Sequence, residues 1–145
     1  MIPVSQTIFH PLRQDDYEAC LASILNLDLE DLRDLTLLRH EMEEASEVGD
    51  VGNLPQRLIE YDSILVMKYG HHSVRVSAVS RFQCFIGVKP RGLSVASGSS
   101  ESSPLHHCVA MDGAVVHDPN PEGNGLLEIL EYTLLIPVLS EIHEG

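Results

Sequence analysis

Apolar residues recur along this chain with two periods. Tyr17, Cys20, Leu21, Ile24 and Leu25 fall at i, i+3, i+4, i+7 and i+8, one stripe of a helix predicted over Tyr17–Asn26. Asp15 and Asp16 precede it, and carboxylates there can cap free N–H groups and complement the positive end of the dipole. Leu29, Leu32, Leu35 and Leu38 predict a second helix over Leu27–Leu38, fraying into the acidic Arg39–Glu47, before a loop at Gly49–Asn53. Leu54–Tyr61, with Pro55 in its first turn, reads as a short helix. Strands are predicted at Ser5–Phe9, Ser63–Tyr69, Val74–Val79, Phe82–Val88 and Leu93–Ala96. Turns separate them at Gly70–Ser73 and Lys89–Gly92. A polar loop, Gly98–Pro104, leads into the clearest hairpin, Leu105–Met111 and Ala114–His117 around Asp112-Gly113, a pair suited to a type I′ turn. Leu126–Val138 supplies one last strand or a pair, and Ser140–Gly145 a frayed tail. Helices come early and antiparallel-type strands late, which makes the fold class α+β.

Composition narrows the picture. A chain of 145 residues with 43% hydrophobic content suits one globular domain, 1–145, able to bury a core. The start, MIPVSQTIFHPLRQDD, lacks the basic and apolar runs of a signal peptide. The apolar run Tyr132–Leu139 is too short to span a bilayer. The expectation is therefore a cytoplasmic protein without membrane contact. A net charge of −13 argues against a nucleic-acid partner, whose phosphates it would repel. Nine carboxylates crowd Asp28–Asp50 beside only Arg33 and Arg39, as on a solvated helical face or a docking surface. Three cysteines, Cys20, Cys84 and Cys108, form neither an even disulfide set nor a metal-ligand spacing. No cofactor and no metal are expected.

The candidate chemistry lies in the hairpin. Period-2 alternation places His107 with Leu105, Val109 and Met111 on one face, and His106, Cys108 and Ala110 on the other. Just beyond, Asp118-Pro119-Asn120-Pro121 ends the ladder with a carboxylate at its mouth. An imidazole facing a carboxylate is how a general base and its orienting acid are held. A hydrogen-bonded core histidine beside an ordinary Asp-Pro turn fits the hairpin alone at least as well.

Two stretches taken together, DDYEACLASILNLDLEDL and LHHCVAMDGAVVHDPNPEGNGL, resemble the papain-like cysteine peptidase superfamily. Within it they are closest to small phage-encoded proteins related to the peptidases that cut bacteriocin leaders. Those proteins open with a QTIF-like strand, here Gln6–Phe9, continue with an Asn/Asp-Cys-x-x-A-C-x-A-S-I-L helix, and end with a histidine hairpin and an H-D-P-x-P turn. Both ends of this chain match, whereas Arg39–Gly92 does not. The resemblance implies a helix packed on a small antiparallel sheet, with the nucleophile at the helix N-terminus and the base on the sheet. It assigns His107 as base, Asp118 as the group fixing its tautomer, and Gln6 as oxyanion-hole donor. For a phage product the compartment would be the host cytoplasm.

At one position the chain departs from that pattern. Asp16, not a cysteine, stands at the nucleophile position, and Cys20 matches the motif's second cysteine. A thiolate attacks best at a helix N-terminus, where the dipole lowers its pKa. Cys20 lies about 6 Å further along, at roughly 1.5 Å per residue, on the apolar stripe, where desolvation keeps a thiol neutral. Were the helix to begin near Ala19 instead, Cys20 would become N-terminal, with Gln14 at the spacing of an oxyanion glutamine. Three readings follow. One is a degenerate papain-like protein that binds a protein or peptide partner. Another is an active hydrolase using Cys20, His107 and Asp118, with Gln6 or Gln14 at the oxyanion. The third gathers Asp16, His107 and Asp118 about a divalent ion, and is disfavoured because alternation turns His106 away from His107.

Overall fold

The computed structural model describes residues 1–10, 13–78, 90–101 and 106–139. Helix α1 spans Asp16–Leu25 and stops at Asn26, whose φ of 57° is the left-handed conformation that asparagine tolerates. A short 3-10 turn, Leu29–Leu32, leads into α2, Arg33–Glu47, and α3 covers Leu54–Tyr69. Strands β1 (His71–Ser77), β2 (Leu93–Ser99), β3 (His107–Asp112), β4 (Ala114–His117) and β5 (Glu128–Pro137) form one antiparallel sheet in the order β1-β5-β2-β3-β4. The class is α+β, as expected.

Alternation along β2 and β3 divides the core between the sheet's two faces. Val95 and Cys108 join Cys20, Leu21, Leu32, Leu35, Tyr61 and Leu65 beneath the helices. Ala96, Val109 and Met111 join Tyr132 on the other side. The α1 stripe behaves as its period requires: Cys20 and Leu21 are buried, and Tyr17, Ile24 and Leu25 pack at the margin.

Several elements differ from expectation, each for a physical reason. Ser63–Tyr69 is not a strand but the second half of α3. Leu54, Leu58, Tyr61 and Leu65 share one helical face, and Gly70, at φ 70°, ends the helix with its N–H on Val66 O. The predicted Leu27–Leu38 helix is divided after Leu32, and Arg39–Glu47 is regular helix rather than a frayed end, because Arg39 is anchored from below. β1 begins at His71, within the predicted turn, and β2 runs on to Ser99 through an irregularity at Ser97/Gly98. At the hairpin only Gly113 has positive φ, 76°, so the turn is tighter than type I′.

Ser5–Phe9 is not a strand either; Phe9 alone bridges to Gln14. The segment lies as a strap over the start of α1. Val4 N–H bonds Ser23 Oγ (2.9 Å), Gln6 N–H bonds Pro119 O (2.9 Å), and Thr7 and Ile8 N–H both bond Asp15 Oδ1 (2.9 Å). His117 Nε2 donates to Val4 O at 2.7 Å. Side chains and a turn thus satisfy the donors a neighbouring strand would have taken. The predicted strand Phe82–Val88 with Cys84, the residue Leu105 and the tail Ser140–Gly145 lie outside the described residues. Among the described residues no helix is long and apolar enough to cross a membrane.

Candidate functional site

The site begins at the first turn of α1. Asp15 is its N-cap, and its carbonyl accepts Ala19 N–H at 2.9 Å. The Asp15 carboxylate does not cap the helix; it turns outward to the strap, accepting Thr7 Oγ1 (2.8 Å) and Arg33 Nη1 (2.9 Å) as well. The next carboxylate, Asp16, is buried and points to the sheet. Its Oδ2 accepts the N–H of Cys108 at 2.9 Å and lies 3.2 Å from His107 Nδ1, and its Oδ1 lies 3.7 Å from Arg39 Nη2.

His107, the first residue of β3, is fully buried. Its Nε2 donates to Asp118 Oδ1 at 2.7 Å, whereas its Nδ1 meets Asp16 as a close ion pair rather than a well-aligned hydrogen bond. Asp118 is itself clamped, with Asn120 N–H on Oδ1 and Gly125 N–H on Oδ2, both at 2.9 Å. Gly123 closes over this carboxylate so tightly that a Cβ there would stand 2.3 Å from Oδ2. The outcome is a row of three groups, Asp16–His107–Asp118, drawn from α1, β3 and the turn after β4.

Electrostatics decide how this row is charged. Burial alone would push His107 down, but the hydrogen bond to Asp118 and the close negative charges of Asp16 and Asp118 outweigh it and raise the imidazole to about 9. Burial would likewise raise Asp16, yet His107, Arg39 and the Cys108 N–H hold it below the ordinary carboxylate value. Asp118 is also held below, since His107 and the Gly125 and Asn120 N–H groups overcome its desolvation. At neutral pH the row is an imidazolium between two carboxylates, and an imidazolium accepts no proton. The carboxylates bracket the ring from its two nitrogens, an arrangement for sharing protons; one cation could not touch both without displacing the ring. Among the described residues no group of three potential ligands is placed to hold a metal ion.

The other predicted residues fall elsewhere. Helix α1 starts at Asp16, so the register beginning near Ala19 is not adopted. Cys20 sits in the second turn, fully buried, and burial reinforced by the nearby charges of Asp16, Asp118 and Glu18 pushes its thiol well above the ordinary value. Gln6 is buried within the strap, and its Nε2 donates to Ile8 O and to Gln14 Oε1, both at 3.1 Å. Both amide protons are directed there and not toward the row. His106 is exposed at the cleft margin, turned away from His107 as alternation predicts.

Residues that sequence reasoning passed over complete the surroundings. Glu18, fully buried, receives Arg39 through Nε (2.9 Å) and Nη2 (2.8 Å), and Tyr61 OH at 2.7 Å. Arg39 also reaches Glu43 at 2.6 Å. Glu18 lies off the α1 stripe and Arg39 in an acidic run, so neither carried a burial signal. Beside this network opens a cleft of about 650 Å³, with Asp16 and Arg39 at its floor, Tyr17 and Tyr61 along its wall, and Glu43 and Glu131 at its rim. No protein-family model, no curated protein and no solved structure matches the chain.

Proposed function

We propose that this chain is a papain-like domain of the small phage-encoded type related to bacteriocin-leader peptidases, with a carboxylate where the nucleophilic thiol would be. On this reading it acts by binding a protein or peptide partner and not by cleaving one. The single observation that carries it is the row Asp16–His107–Asp118. A residue at a helix N-terminus faces one imidazole nitrogen while a clamped carboxylate holds the other, the relation a nucleophile, base and orienting acid require. With aspartate first in that row, an ion-paired carboxylate stands where the thiolate would attack, so the row lacks the thiol that would form a covalent intermediate. Cys20, buried in the core, has no part in it.

Iodoacetamide alkylation of each cysteine, resolved by peptide mass spectrometry across pH, tests the reading. Cys20 and Cys108 are expected to stay protected until the protein unfolds. In Asp16→Cys the introduced thiol should react at neutral pH faster than an unfolded thiol, and adding His107→Ala should abolish that advantage. Fast labelling of Cys20 below pH 7 that depends on His107, or thiol-dependent peptide hydrolysis, would overturn it in favour of a working cysteine hydrolase.

A further inference from the structure

The cleft does not end at Asp16. A second hollow of about 480 Å³, floored by Met42, Leu54, Pro55 and Leu58, shares Arg39, Met42, Glu43, Ser46 and Leu58 with the first, so the two form one trough walled by α2, α3 and the sheet. Its far end is apolar and its near rim is acidic. The last two turns of α2 carry Glu43, Glu44 and Glu47 with no basic residue in the last turn. Carboxylates at the negative end of a helix dipole are unfavourable to the helix. With Glu18 included, four carboxylates share two guanidiniums: Arg13 meets Glu43, Glu44 and Glu47 at 3.9, 3.9 and 2.6 Å, and Arg39 meets Glu18 and Glu43 at 2.8 and 2.6 Å, which leaves this end of the trough with excess negative charge among the described residues. On the opposite wall Glu131 has Arg75 at 3.8 Å.

Resting on the partner-binding reading, we infer that this trough receives a cationic, aliphatic peptide segment of a partner protein. An aliphatic side chain enters the Met42–Leu54–Leu58 end, and lysine or arginine side chains lie against Glu43, Glu47 and Glu131. Charge selects the sign of the partner and the apolar end supplies affinity by desolvation. A net charge of −13 adds steering of a basic chain toward the rim.

Fluorescence anisotropy with the intact chain tests this, using a labelled decapeptide of alternating leucine and lysine, and serine/lysine and leucine/glutamate counterparts. The leucine/lysine peptide should bind at least tenfold more tightly than either. Leu58→Asp should weaken that binding at least tenfold, although it adds a charge that favours a cationic ligand. Met67→Asp makes the same charge change on the exposed outer side of α3 and should change binding less than twofold. Equal affinity for the serine/lysine peptide, or equal effects of the two variants, would overturn the inference by reducing it to bulk charge. If none of the peptides binds while Cys20 stays protected, this inference fails and the non-catalytic reading of the site stands.

Discussion

A histidine flanked by two aspartates behaves differently from a histidine flanked by one. Asp118 alone would orient His107 and leave its other nitrogen free to take a proton; Asp16 makes the charged ring the resting state. That state depends on a glycine with an ordinary backbone. A methyl group at Gly123 would collide with a carboxylate that three donors hold in place. Gly123→Ala should therefore displace Asp118, destabilise the fold by about 1–3 kcal/mol, and lower the His107 pKa from about 9 toward the ordinary range. Urea denaturation and an NMR titration of the imidazole protons would measure both effects. An unchanged titration would mean that Asp16 alone sustains the imidazolium. His107, Asp118 and Asp16 were legible in the sequence, because a hairpin, a proline turn and a helix start each leave a local mark. Glu18, Arg39 and Gly123 were not, since their roles depend on what the fold brings opposite them.

Among the elements, α1, α2 and α3 are joined by one buried carboxylate. Glu18 on α1 meets Arg39 on α2 and Tyr61 on α3. Removing it takes the buried carboxylate from Arg39 and the acceptor from the Tyr61 phenol, so Glu18→Ala should cost about 3–5 kcal/mol, and Tyr61→Phe about 1–2 kcal/mol. Urea unfolding of the single and double variants would show whether the effects are coupled. A loss below about 1 kcal/mol for Glu18→Ala would mean that Arg39 escapes into the cleft toward Glu43. Element legibility followed the same division. Helix α1 was readable because its stripe and its left-handed stop agree. The SILVMKY half of α3 satisfies both a buried strand and a helix turn, and only its continuity with Tyr61 decides between them. The strap Val4–Ile8 alternates like a strand, yet its partners are the Asp15 and Ser23 side chains and the Pro119 carbonyl.

For the whole molecule, the row makes stability depend on pH with a definite sign. His107 binds its proton more tightly folded, at about 9 against an ordinary 6.5. Its contribution is fully present below pH 6.5 and lost as pH rises through 9, a decline of about 3 kcal/mol. Asp16 and Asp118 are held below their ordinary value of 3.8, so their contribution is present above it and lost as pH falls through their folded values. The three groups together favour an optimum between about pH 4 and 6.5. Urea midpoints measured across that range should fall on both sides, and His107→Gln should flatten the decline between 6.5 and 9. Above 9, the buried Cys20, Cys108 and Tyr61, all pushed up by desolvation, steepen the same loss.

The bond from Cys108 to Asp16 spans 92 residues of chain, and the strap closes on His117 across 113. During synthesis at roughly 5–20 residues per second, α1 emerges on the order of ten seconds before the histidine that neutralises its buried carboxylate. Throughout that interval Asp16 has neither the imidazolium nor the Cys108 N–H, and Arg39, 3.7 Å away in the finished fold, is the countercharge within reach, so burying the carboxylate costs more than it does once β3 is in place. The site thus also sets an order on the nascent chain: the first turn of α1 gains its full set of partners when the C-terminal hairpin arrives.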